Sequence, residues 1–217
     1  MTTARTRREE QVRATRDALL NAAERLFAEY GVHAVTIRQI SAAAGQGNNT
    51  AVNYHFGAKT ELVRAIIRKH GEQTENTRAR MIAEIGDSTN LRDWMNCLVR
   101  PVTDHLAGLG TPTWYARFNT LAMADPALQA IMSEETVSTS PSMRTLLDGM
   151  YRCLPDLPPE ILAERVAIVR HLITQMCADR ERALAEGAPT PRASWDDTAT
   201  GLVDAIVALW NAPFTRR

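Results

Sequence analysis

Apolar residues recur three and four positions apart along almost the whole chain, and an alternation of period two is sustained nowhere. That spacing lines up one face of an α-helix, whereas a half-buried strand needs alternation. The sequence therefore predicts an all-α fold of about nine or ten helices, with glycines and prolines marking where each ends. Leu19, Ala22, Ala23, Leu26, Phe27 and Tyr30 make one stripe, closed by Gly31. Thr36 is a candidate N-cap for a short second helix, because its hydroxyl can accept an orphan backbone N–H. Ile37, Ile40 and Ala44 form the inner face of that helix and Gly45 ends it. Gln46-Gly47-Asn48 reads as a turn. A third short helix over about 49–55 turns Ala51 and Val52 inward, Gly57 breaks it, and a long fourth helix opens near 59 with Leu62 and Ile66 inside.

The rest of the chain keeps the helical spacing, interrupted at Gly86-Asp87, Gly108–Pro112, Asp125-Pro126 and Ser138–Pro141. Pro155-Asp156-Leu157-Pro158-Pro159 reads as a linker whose last proline suits the first turn of a helix, where a missing N–H costs nothing. That helix is expected over about 159–186, stopped by Gly187, and a last one over about 195–211. The division expected is a small N-terminal module, 1–60, and a larger helical domain, 61–217.

Charge is distributed unevenly along the chain. Overall the chain is formally neutral, yet residues 1–70 hold eleven Lys/Arg against six Asp/Glu, and the remainder holds fourteen against nineteen. A basic module joined to an acidic partner suits a nucleic-acid reader, since Lys and Arg gain affinity by displacing counterions condensed on DNA.

Other classes find less support. There is no GxSxG, Walker loop, HExxH or metal-type His/Cys spacing, so neither an enzyme nor a metal site is expected, and no cofactor. Gly45-Gln46-Gly47 resembles part of a dinucleotide loop but follows a helix, not a strand. Cys97, Cys153 and Cys177 are scattered and odd in number. Buried thiols or a redox sensor are the two readings. The hydrophilic start lacks the apolar stretch of a secretory signal, and no run approaches the length needed to span a bilayer, so no membrane partner and a cytoplasmic location are expected.

Helix, short helix, glycine-containing turn and short helix is the helix-turn-helix arrangement, in which the last helix offers side chains to base edges in the major groove. The segment Asn48-Asn49-Thr50-Ala51-Val52-Asn53-Tyr54-His55-Phe56 supplies amides and hydroxyls suited to bases and phosphates. Thr36-x3-Ile40-Ser41-x2-Ala44-Gly45, then Asn53-Tyr54-His55-Phe56, then Lys59-x-Glu61-Leu62, resembles the signature of the TetR family of transcriptional regulators over about residues 14–69. The stretch from Gly45 to Phe56 is one residue longer than the usual pattern. The resemblance implies that Thr36, Tyr54, His55 and Lys59 touch phosphates, with a further contact from Arg38. It also implies that Asn49, Thr50 and Asn53, with Asn48 beside them, face the groove. Packing is the alternative reading for Tyr54 and His55, and Phe56 reads as core. Arg5, Arg7 and Arg8 could form a basic arm.

The resemblance further implies a repressor released from a palindromic operator by a small molecule, and acting as a homodimer; an activator and a helical interaction protein are the alternatives. Two stripes could pair with a second copy or line a core: Leu162, Val166, Val169, Ile173 and Met176, and then Leu202, Ile206 and Trp210. Between about 90 and 155, aromatic and thioether side chains concentrate. Trp94, His105, Trp114, Tyr115, Phe118, Met123 and Met150 are candidate pocket residues for a largely apolar effector, with Arg117 and His171 as polar anchors.

Overall fold

Local capping chemistry sets most helix boundaries. In the computed structural model, which describes residues 2–47 and 50–215, ten helices and no strand are found among the described residues. They are α1 (Thr2–Tyr30), α2 (Ile37–Ala43), α3 (Thr50–Phe56), α4 (Lys59–Ile85), α5 (Leu91–Leu109), α6 (Tyr115–Ala124), α7 (Pro126–Thr139), α8 (Pro141–Cys153), α9 (Pro159–Glu186) and α10 (Trp195–Asn211). Thr36 caps α2 reciprocally: its hydroxyl accepts from Gln39 N at 3.3 Å, and Gln39 Oε1 accepts from Thr36 N at 2.8 Å. Two unpaired donors are satisfied this way at the entrance of a seven-residue helix. Gly45 follows α2 with φ of 69°, a left-handed conformation that favours glycine. Asp125 caps α7 through Ala127 N and Leu128 N, and Pro126, Pro141 and Pro159 each open their helix.

Two cores result. The first gathers Leu19, Phe27, Ile40, Val52, Leu62 and Ile66 from the four N-terminal helices, together with Phe118 and Ala122 of α6 and Leu128 and Met132 of α7. The second lies among α5, α8, α9 and α10 around Trp94, Leu106, Met150, Ile206 and Trp210. No linker separates a module at residue 60: that position lies in the first turn of α4, and α6 and α7 close the core of the N-terminal helices. Arg64 reaches Glu134 and Glu135 of α7 at 2.9 and 2.7 Å, and Arg68 reaches Glu135 at 2.7 Å, tying α4 to α7.

The two expected dimer stripes need correction. Val169, Ile173, Leu202, Ile206 and Trp210 are buried inside one chain. α10 turns its apolar face onto α5, and α9 turns Val169 and Ile173 inward. Periodicity shows that a face is dry but not which neighbour dries it. Of the eight residues, Val166 and Met176 remain exposed and Leu162 is half-buried.

Burial also disposes of the redox reading for two cysteines. It pushes the Cys97 thiol up to about 11 and the Cys177 thiol up to about 12, so neither carries appreciable thiolate at neutral pH. No helix among the described residues is long and apolar enough to cross a membrane.

Candidate nucleic-acid interface and central cavity

α2 and α3 present a polar outer surface because their apolar residues pack inward. Ile40 and Val52 are fully buried, which turns Arg38 and Asn53 outward. Tyr54 is 78% exposed, with His55 packed edge-to-face against it at 5.0 Å. Phe56 is core, as expected, and Arg16 of α1 lies over its ring at 5.0 Å. That contact joins residues far apart in the chain and left no local trace in the sequence. Thr36 is exposed at the α2 entrance. Asn48 and Asn49 lie outside the described residues, as does the side chain of Thr50. Arg7 and Arg8 are exposed on α1, which begins as helix at Thr2 rather than as an extended arm; the Arg5 side chain is outside the described set.

Lys59 pins a turn. Its ammonium donates to the carbonyls of Val32 at 2.8 Å, Val35 at 3.0 Å and His33 at 3.5 Å. These carbonyls belong to the turn between α1 and α2, so in the free chain the ammonium is directed at the turn.

A cavity of about 450 Å³ lies among α4, α5, α6, α7, α8 and α9. Of the expected pocket residues it is lined by Tyr115, Met123 and Met150. The others sit elsewhere. Trp94 is 1% exposed, donates its indole N–H to Ser88 O at 2.9 Å and lies flat against Gly149. Phe118 is fully buried between Phe27 and Tyr115. Trp114 precedes α6 and packs on the first core, and His171 is exposed. Arg117 is held by Glu181, whose carboxylate also accepts from Ala116 N and Arg117 N at the start of α6. What the sequence reading missed are two walls: Ile67, Gly71, Thr74 and Arg78 of α4, and Val166, Val169 and Ile173 of α9, which it places on a dimer stripe. Both helices lie outside the window in which aromatic and thioether residues concentrate.

Comparison with known proteins decides what this arrangement is. Residues 19–66 match the profile described as bacterial regulatory proteins, tetR family, and residues 96–208 match the tetracyclin repressor-like C-terminal domain. The chain belongs to the TetR family. A tetR-family transcription regulator from Shewanella sp. PV-4 superposes with a TM-score of 0.61 at 16% identity, over 93% of this chain and 99% of that one. A second, from Marinobacter aquaeolei VT8, gives 0.59 at 15% identity over 94% and 97%. PfmR from Thermus thermophilus gives 0.56 at 16% identity over 87% and 96%. No curated protein matches the chain by sequence. DNA binding and regulation of transcription are the work of this family, and the enzyme reading is set aside with that membership.

In this TetR-family chain a buried polar relay joins the N-terminal helices to the cavity wall. Glu24 of α1 accepts from His70 of α4 at 2.9 Å, and the other nitrogen of His70 lies 2.7 Å from His105 of α5. Tyr115 stacks on His70 with ring centroids 3.7 Å apart. Burial disfavours the charge of Glu24, but the hydrogen bond and charge of His70, with Lys69, outweigh it and hold the carboxyl below its ordinary value. Burial, and then the neighbouring His70, pushes His105 down to about 4. His105 is thus a neutral relay member and not a pocket residue.

Proposed function

We propose that the protein is a homodimeric repressor, working on DNA in the cytoplasm, that leaves a palindromic operator when a small, largely apolar effector fills the cavity. The observation that carries this reading is α4. It runs unbroken from Lys59, beside the α1–α2 turn, to Arg78 on the cavity wall. A ligand that favours one placement of α4 shifts the population of head positions by its differential affinity. Two recognition helices must sit about 34–36 Å apart to enter successive turns of one DNA face. A change in that spacing breaks simultaneous engagement.

Arg38, Asn53 and Tyr54 are the contacts we assign to DNA, with Thr36 and His55 flanking them, because each is exposed or half-exposed on the α2–α3 surface. We assign dimerisation to the outer sides of α9 and α10, where Ile168 and Met176 stay exposed and Leu172, Ala183 and Ala205 line a groove.

Fluorescence anisotropy with duplexes from the DNA flanking the coding sequence tests this, with sedimentation giving the stoichiometry. Two chains per palindromic site are expected, with log affinity falling linearly against log salt by about 0.9 per phosphate engaged. A monomer on DNA, or binding indifferent to sequence, overturns the reading.

A further inference from the structure

We infer that the cavity takes an amphiphilic monoanion, an apolar body ending in a carboxylate, anchored by Arg78. This deepens the reading of the cavity as an effector site and rests on it. Arg78 lies on the cavity wall in α4 and is only 5% exposed. A buried guanidinium is costly unless its donors are all used. Here they are not. Nη1 donates to Ser140 Oγ at 3.1 Å and reaches Glu75 Oε2 only at 3.4 Å, while Nε is buried with no partner.

Glu75 does not complete the site, because its carboxylate is committed to the entrance of α8. It accepts from Ser142 N at 2.9 Å, from Ser142 Oγ at 2.6 Å and from Ser140 Oγ. Both carboxylate oxygens are therefore engaged, and the Nε donor of Arg78, out of contact with solvent, has no partner. Arginine offers its donors as a planar fork that matches the two oxygens of a carboxylate.

The wall supplies the remaining argument. Its charged residues, among those described, are Arg78 and Arg170, and no Asp or Glu lines it. The other nearby acids are occupied: Glu181 by Arg117 and the α6 backbone, Glu24 by His70 and Lys69. Most of the surface is apolar, with Leu98, Val102, Leu106, Met132 and Ile173 among its residues. Such a chamber solvates a hydrocarbon body, and at one end it holds a guanidinium whose ion pair with Glu75, at 3.4 Å, is long and shared with two serines. A neutral hydroxyl could accept one hydrogen bond from the guanidinium, but only a carboxylate adds the opposite charge and a second acceptor oxygen.

Calorimetric titration of the full chain with decanoate and with decan-1-ol, below their aggregation limits at pH 7.5, tests the class. Decanoate is expected to bind about tenfold or more tightly than the alcohol, the worth of one charge-assisted hydrogen bond. R78Q should bring the two affinities within about threefold while leaving that for the alcohol near wild type, which also reports that the variant is folded. R78K keeps the charge without the fork and should lose most of the preference; it decides the matter if R78Q does not fold. Equal affinities in the wild type, or a preference that survives in R78Q, overturn the assignment. If the alcohol binds and decanoate gains nothing, the effector cavity stands and only its charge class falls. If neither ligand binds the wild type, the assignment fails and the effector reading loses its support with it.

Discussion

Replacing Lys59 by methionine separates two roles that the sequence could not tell apart. In the structure its ammonium makes hydrogen bonds of 2.8 and 3.0 Å to Val32 O and Val35 O, and a longer one of 3.5 Å to His33 O. Val32 and Val35 themselves are buried, so the turn they form is part of the first core rather than a loose loop. A hydrogen bond to a charged group contributes roughly 1.5–3 kcal/mol net, and half-burial lets water replace part of it, so the loss should be about 1–2 kcal/mol. For a chain of this size that corresponds to a fall in Tm of about 3–6 °C. Calorimetry at one protein concentration reads it, which matters for a protein that dimerises. Salt titration of DNA affinity supplies the second readout. An internal pin leaves the slope of log affinity against log salt unchanged, whereas a lost phosphate contact lowers it by about 0.9 per protomer. An unaltered Tm combined with a flatter slope would falsify the internal role and restore Lys59 to the DNA surface.

Three other outcomes follow from the same structure. Tyr54→Ala should weaken operator binding, read by anisotropy, without moving Tm by more than about 1 °C, since the side chain is 78% exposed; a large fall in Tm would mean that it packs. Gly149→Ala should cost about 1–3 kcal/mol by chemical denaturation, because an added Cβ would lie 2.3–2.5 Å from ring carbons of Trp94, itself pinned to Ser88. A variant as stable as wild type would show that Trp94 can yield. Acidification should lower stability across pH 6.5 to 4. His105 resists protonation in the folded chain down to about 4 while the unfolded chain takes its proton near 6.5, and Glu24, held low, withdraws its contribution below its own ordinary value of 4.5. Melts of His105→Asn should show a flatter pH profile between those limits, and an unchanged profile would remove His105 as the cause.

The arms of this fold differ in how far the sequence alone reached. Helix boundaries were legible because their causes are local: a threonine three residues before a glutamine, prolines at first turns, and a glycine at a left-handed stop. The reading head was legible for the same reason, its short helices and turns lying close together in the chain. The cavity was legible only in part. Tyr115, Met123 and Met150 were found as apolar residues in a rich window, but the wall built by α4 and the buried Arg78 were not.

Local chemistry thus determined by itself an all-helical chain with a helix-turn-helix near its start, since capping, turn geometry and the spacing of apolar residues act over a few positions. Tertiary structure decided what each face meets. It packed the face of α10 that carries Ile206 and Trp210 on α5 rather than on a second copy, gave Lys59 three backbone acceptors, and joined Glu24 to His70 across 46 residues of chain. Burial and charge pairing are properties of neighbours in space, and one guanidinium reads the same in sequence whether it faces water, a carboxylate or an apolar wall.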